Sequence, residues 1–190
     1  MIKVIAFDAF GTVFDLSSVD KEEIREYARH LRQEVWSPLN LPSSWATLPA
    51  HPDARVGLQK LRDCGFKVCT MSNGPVSLLN EMSRNSGIEW DMLIPIEERH
   101  VFKPDPRAYA AVAELFRVKP EQTLMVTANP RFGDIEGSAA IGMPSQVIRH
   151  GRPNDIIELY EWLNEEVLTS PLPEWPISFT PTYELRRNLL

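Results

Sequence analysis

The sequence predicts an α/β domain: a parallel β-sheet flanked by helices on both faces, with a small helical insert after the first strand. Two observations carry this. Short apolar runs alternate with segments whose apolar residues recur at helical spacing, and the runs end in polar or glycine-bearing turns. Repeated units of that kind form parallel sheets covered on both sides. A length of 190 residues suits one domain with a small accessory element and leaves no room for a second full domain.

Lys3 to Phe7 (KVIAF) is a short apolar run ending at a glycine-bearing turn, which predicts the first strand. Asp20 and Glu23 form a D-x-x-E capping box, after which Ile24, Tyr27, Ala28, Leu31 and Val35 predict an amphipathic helix reaching Trp36. From Ser37 to Pro52, Pro38, Pro42, Pro49 and Pro52 forbid a long helix or a central strand and predict a connector. A helix over 53–63, stopped near Gly65, and a strand over 66–71 follow. The alternation continues with a helix over 76–86, a strand over 92–96, and a helix capped by Asp105 with Pro106 at its first position. A strand at Thr123 to Thr127, a helix over 134–141, a strand over 145–148 and a helix over 154–166 complete the series. Residues 1–15 and 53–167 are therefore expected to form the core, 16–52 an insert of one helix and a proline-rich loop, and 168–190 an extended arm broken by four prolines.

Composition narrows the function. With 43% apolar and 24% charged residues the chain is globular, and a net charge of -6 without Lys or Arg runs argues against nucleic-acid binding. No apolar stretch is long enough for a membrane span or a signal-peptide core, so the expected location is cytoplasmic, with a small-molecule substrate. Cys64 and Cys69 lack a CxxC partner and read as reduced core thiols, and His30, His51, His100 and His150 lack zinc-ligand spacing. The helical stripe on so small an insert needs cover, either from the core or from a second subunit in a homodimer.

In a parallel α/β sheet, ligands sit beyond the carboxyl ends of the strands. The polar residues there are Asp8 and Thr12 after the first strand, Ser72 and Asn73 after the second, Lys103 beyond the third, and Thr127, Asn129 and Asp134 after the fourth. Singly, each is a common turn or cap residue. Together, two carboxylates, a lysine and several hydroxyls suit covalent catalysis by an aspartate: a nucleophile, a charge neutraliser, a base for water and orienting donors.

Asp8-Ala9-Phe10-Gly11-Thr12-Val13-Phe14-Asp15 resembles the first motif of the haloacid dehalogenase superfamily, D-x-x-G-T-x-x-D, most closely the form in L-2-haloacid dehalogenases, with an aromatic two places after the nucleophile. Met71 to Gly74 resembles the second motif. Lys103 to Tyr109 resembles the third, and Val126 to Asn129 followed by Asp134 to Gly137 the fourth. The resemblance spans most of residues 1–150 and implies a Rossmann-like core. Three differences stand out: only 63 residues separate Asp8 from Ser72, Asn129 and Asp134 are five apart rather than three, and Thr127 replaces the usual serine. The arginine that grips the substrate carboxylate in that family has no clear counterpart; Arg32, Arg29 and Arg25 on the predicted helix are the candidates.

The resemblance implies a nucleophile at Asp8, with Lys103 and Asp134 also catalytic. Thr12, Ser72 and Tyr109 would position carboxylates, Asn73 would meet the halide, and Asn129 would help Asp134 with water. Thr127, Phe10 and Arg32 complete the substrate-binding set. Phosphatases of the superfamily resemble one another in carrying an aspartate where Phe10 stands. A phenylalanine cannot protonate a leaving alkoxide, whereas a halide needs no acid. The favoured reaction is thus hydrolytic dehalogenation of a small 2-haloacid through an aspartyl ester, with no cofactor or metal required. The alternative is a phosphatase or phosphonatase-like hydrolase with Mg²⁺ on Asp8 and Asp134. A third reading is a binding protein that keeps the fold without activity.

Overall fold

The structure, a computed structural model, describes residues 1–151 and 155–169. Five parallel strands form one sheet in the order β3-β2-β1-β4-β5: β1 (Val4–Phe7), β2 (Lys67–Thr70), β3 (Met92–Leu93), β4 (Thr123–Thr127) and β5 (Ser145–Val147). β1 is central and fully buried, as its apolar run requires. Phe7 pairs with Thr70 on one side and Val126 on the other, so the chain leaves β1, β2 and β4 at one level. That register brings Asp8, the Ser72-Asn73 turn and Thr127 to the same edge.

Side chains alternate across β1 and divide the interior in two. Ile5 and Phe7 join one core with residues of α2 (Ala54–Asp63), α3 (Val76–Ser86) and α6 (Ile156–Thr169). Val4 and Ala6 join the other with Ala108, Tyr109, Ala111 and Val112 of α4 (Pro106–Phe116). The short helix α5 (Asp134–Ala139) packs against α4 and β5. Asp105 caps α4 by accepting from Arg107 N at 2.9 Å, as its position before Pro106 predicts. The expected α/β architecture is therefore present, with helices on both faces.

Several boundaries differ from expectation. β3 has two residues rather than five, because Pro95 cannot donate to a ladder and the chain turns into a 3₁₀ segment at Ile96–Arg99. Cys64, expected in the core, is exposed at the end of α2; Cys69 is buried. The arm expected at 168–190 lies outside the described residues except for its first two, which continue α6. Among the described residues no helix is long and apolar enough to cross a membrane.

The insert leaves and returns side by side: Asp15 N donates to Pro49 O at 2.8 Å, and His51 N to Val13 O at 2.9 Å. Its helix, α1 (Lys21–His30), starts at Asp20, which accepts from Glu22 N, but stops six residues before Trp36. His30 Nε2 meets Ser37 O at 3.0 Å, and Trp36 stacks on His100 with ring centroids 4.4 Å apart, so tertiary contacts outweigh the helical pattern there. Val35 is consequently 79% exposed instead of continuing the stripe. Glu23 does not close the predicted capping box. Its carboxylate accepts from Trp45 Nε1 at 2.8 Å, tying α1 to a 3₁₀ turn (Ser43–Thr47) whose tryptophan ring is fully buried.

Candidate active site

The strand-end register brings three charged groups from distant parts of the chain into contact. Lys103 Nζ lies 2.8 Å from Asp8 Oδ1 and 2.9 Å from Asp134 Oδ1, with all three side chains buried. Asp8 Oδ2 accepts from Thr12 Oγ1 at 2.9 Å, and Asp134 Oδ1 accepts from Tyr109 Oη at 2.8 Å. Asp134 Oδ2 is buried without a hydrogen-bond partner among the described residues. The lysine and the tyrosine thus share one oxygen of Asp134, leaving the other as an unspent acceptor.

Electrostatics follow from this packing. Burial pushes the Asp8 carboxyl above its ordinary range; contact with Lys103 opposes that push, and the charge of Asp134 adds to it. For Lys103, burial disfavours the ammonium, but Asp134 and Asp8 together outweigh it and raise the pKa, so the lysine stays charged. One cation between two carboxylates leaves a net negative centre. It can support an attacking carboxylate held ready by Lys103 and Thr12.

The lysine itself is fixed by Asn73. Its backbone N–H donates to Asn73 Oδ1 at 2.7 Å, and the Asn73 amide reaches Lys103 O at 3.5 Å. Ser72 is buried at the strand edge, and its hydroxyl accepts from Gly74 N at 3.2 Å, shaping the turn. Thr127 is likewise buried and accepts from Asn129 N at 3.1 Å. Thr12 Oγ1 also accepts from Ala128 N at 2.9 Å, linking the turns after β1 and β4.

A cavity of about 320 Å³ opens above this centre. Asp8, Phe10, Asn73, Lys103 and Asn129 line it from the strand ends, while Leu16, Ile24, Tyr27 and Leu31 line it from the insert. Phe10 stands on edge against Trp45 at 5.1 Å and Tyr27 at 5.8 Å, and packs so closely on Gly74 that a Cβ there would lie 2.6 Å from its ring. Arg32 does not line the cavity, nor does any other arginine among the described residues. Helix α1 ends before Arg32, so the residue never joins the face turned to the site.

Among the lining residues given no site role from sequence are Tyr27, His51, Asp15 and Phe132. Tyr27 looked like one more member of an apolar stripe, yet its phenol interacts with the Asn73 amide, and burial together with the Asp8 charge pushes it well above its ordinary pKa. His51 stacks on His150 with centroids 3.5 Å apart, and burial and that neighbour push its pKa down. No local pattern distinguishes either residue, since both reach the site by packing between remote segments.

Asp8 and Asp134, the residues expected to hold magnesium in the alternative reading, each give one oxygen to the ammonium, and among the described residues no third His, Cys, Asp or Glu groups with them.

Residues 43–142, more than half of the chain, match the family of haloacid dehalogenase-like hydrolases. The chain belongs to this family. Among related sequences, the haloacetate dehalogenase H-2 of Moraxella sp. (strain B) is 32% identical over 108 residues, covering 56% of this chain and 47% of that protein. The (S)-2-haloacid dehalogenase of Xanthobacter autotrophicus is 28% identical over 176 residues, covering 68% of each. The chain thus spans about half to two thirds of the length of these relatives. A structure of L-2-haloacid dehalogenase from Xanthobacter autotrophicus with chloropropionic acid covalently bound superposes with a TM-score of 0.63 at 24% identity, over 92% of this chain and 85% of that one. This haloacid dehalogenase-like hydrolase shares the fold of that enzyme.

Proposed function

We propose that the chain hydrolyses the carbon–halogen bond of a small 2-haloacid through an aspartyl ester on Asp8. The observation that carries this reading is the pairing of a lysine-neutralised carboxylate with an apolar wall. Asp8 is held by Lys103 and Thr12 and faced by Phe10, a residue that cannot protonate an alkoxide. Such a site suits a leaving group that departs as a stable anion. The two relatives compared above, a haloacetate dehalogenase and an (S)-2-haloacid dehalogenase, support the same substrate class.

In the first step an Asp8 oxygen attacks the α-carbon, the carbon–halogen bond breaks, and the halide leaves with the electron pair. The attack comes from the face opposite the halide, so the configuration at that carbon inverts. In the second step water gives a proton to Asp134 Oδ2, the oxygen without a partner among the described residues, and its own oxygen adds to the ester carbonyl of Asp8. Collapse breaks the bond to the substrate oxygen, which takes the proton back from Asp134 and leaves as the 2-hydroxy acid, and Asp8 gives the second proton of the water to solvent and returns to the carboxylate. Lys103 balances the negative charge on the carbonyl oxygen throughout, and Tyr109 and Lys103 hold Asp134 by its other oxygen.

Halide release from a short 2-haloacid, compared with phosphate release from a generic phosphoester, tests the reading. Halide release that persists with chelator supports it, and phosphate release without any halide release refutes it. A single turnover in ¹⁸O-water separates the two steps, because the label is expected in Asp8 and not in the first product. Label appearing directly in the hydroxy acid would instead mean that water attacks carbon.

A further inference from the structure

In-line displacement sends the halide away from the Asp8 oxygen, towards the side of the cavity built by the insert. Leu16, Ile24 and Leu31 offer only hydrocarbon there, and Tyr27 alone among these four carries a polar side-chain atom. An anion released against such a wall is costly unless a donor meets it.

Most other side-chain donors of the lining already have acceptors, whereas His51 Nε2, at the returning end of the insert rather than on α1, has no partner among the described residues. Lys103 Nζ serves Asp8 and Asp134, the hydroxyl and backbone N–H of Ser17 both serve Asp15, and Asn129 Nδ2 points to Phe10 O at 3.4 Å. The Tyr27 phenol lies beside the Asn73 side chain, whose oxygen already accepts from Lys103 N at 2.7 Å, so the phenol's proton can turn to a ligand in the cavity. The ring is held by edge contact with Phe10 at 5.8 Å and by Trp45 at 5.8 Å, and Trp45 is anchored to α1 through Glu23. The hydroxyl is therefore pre-positioned by its own packing, as electrostatic catalysis requires.

We propose that the Tyr27 hydroxyl, carried into the cavity by the insert helix, donates the hydrogen bond that receives the departing halide. The assignment rests on the halide-displacement reading above. It also gives the insert a chemical role, since without α1 the strand-end carboxylates would lack this donor opposite the nucleophile.

Tyr27→Phe removes the hydroxyl and keeps the ring that packs against Phe10 and Trp45. Single-turnover halide release is measured for wild type and Y27F with the bromo, chloro and fluoro forms of one 2-haloacid. A donor to a leaving anion matters more as the anion becomes smaller and its charge more concentrated. Y27F should therefore lose about 10- to 100-fold on the chloro acid, less on the bromo acid and most on the fluoro acid. The bromo-to-chloro ratio decides if fluoride release is too slow to read. A loss equal for all halides overturns the assignment and places the hydroxyl on the substrate carboxylate, and no loss overturns it outright. Wild type that releases no halide from any of the three overturns the haloacid reading and the role of Tyr27 together, whereas active wild type matched by Y27F on every halide overturns Tyr27 alone.

Discussion

Replacing Lys103 by methionine removes one charge from a centre that holds three. The side chains of Lys103, Asp8 and Asp134 are 4%, 11% and 1% exposed, so deleting the ammonium leaves two carboxylates facing each other with little water to screen them. Breaking a buried ion pair by removing one partner costs about 3–5 kcal/mol, and methionine fills most of the vacated volume, so the loss is mainly electrostatic. The variant can relieve it by binding a proton between the two carboxyls. The folded state then keeps a proton that the unfolded chain, with a carboxyl of ordinary pKa near 3.8, has already released. Stability of K103M should accordingly fall as pH rises above that value, by up to about 1.4 kcal/mol per pH unit, and level off once pH passes the raised folded pKa. Urea unfolding of wild type and K103M at pH 5 and pH 8 measures this. The destabilisation should be about 3–5 kcal/mol at pH 8 and clearly smaller at pH 5. Adding Asp134→Asn to K103M should restore most of the stability at pH 8, because only one carboxylate then remains. Equal destabilisation at both pH values would refute the argument, since it would mean that packing rather than charge supplies the cost.

Three further outcomes follow from other contacts. Because burial holds the Asp8 carboxyl above 3.8, kcat/KM for halide release should fall on acidification through a pKa higher than that of a free aspartate, while the raised Lys103 pKa should produce no alkaline loss below its ordinary 10.5; an acid limb below 3.8 would contradict this. Asp53→Ala removes the acceptor of Ile156 N at 3.0 Å and of the His150 ring at 2.9 Å, which should cost about 1–3 kcal/mol in urea unfolding and speed amide exchange at the start of α6, with halide release little changed. Gly137→Ala would set a Cβ against the Tyr109 ring and 2.6 Å from Pro104 O, where backbone must move. A loss of about 1–3 kcal/mol is expected, together with slower ester hydrolysis as Tyr109 shifts from Asp134, and wild-type stability would show that α5 has slack.

The amino-acid sequence by itself determined the sheet and the polar edge. A strand such as Val4–Phe7 is set by a local apolar run, and the parallel arrangement follows from strands alternating with helices, so the meeting of Asp8, Lys103 and Asp134 could be read before any distance was known. Caps behaved likewise where one side chain and the next turn suffice, as at Asp105 and Asp20. Tertiary structure decided what depends on contacts between remote segments. The end of α1 is set by Trp36 against His100 and the use of Glu23 by Trp45, although the local pattern favoured a longer helix and a capping box. Ser72 turned inward to Gly74 and Arg32 stayed outside the cavity, while Tyr27, one residue of an amphipathic stripe, came to face Asp8 and Asn73. The physical reason is range: backbone propensity and burial act over a few neighbours in sequence, whereas the side-chain geometry of a cavity is a sum over packed surfaces that no short window contains.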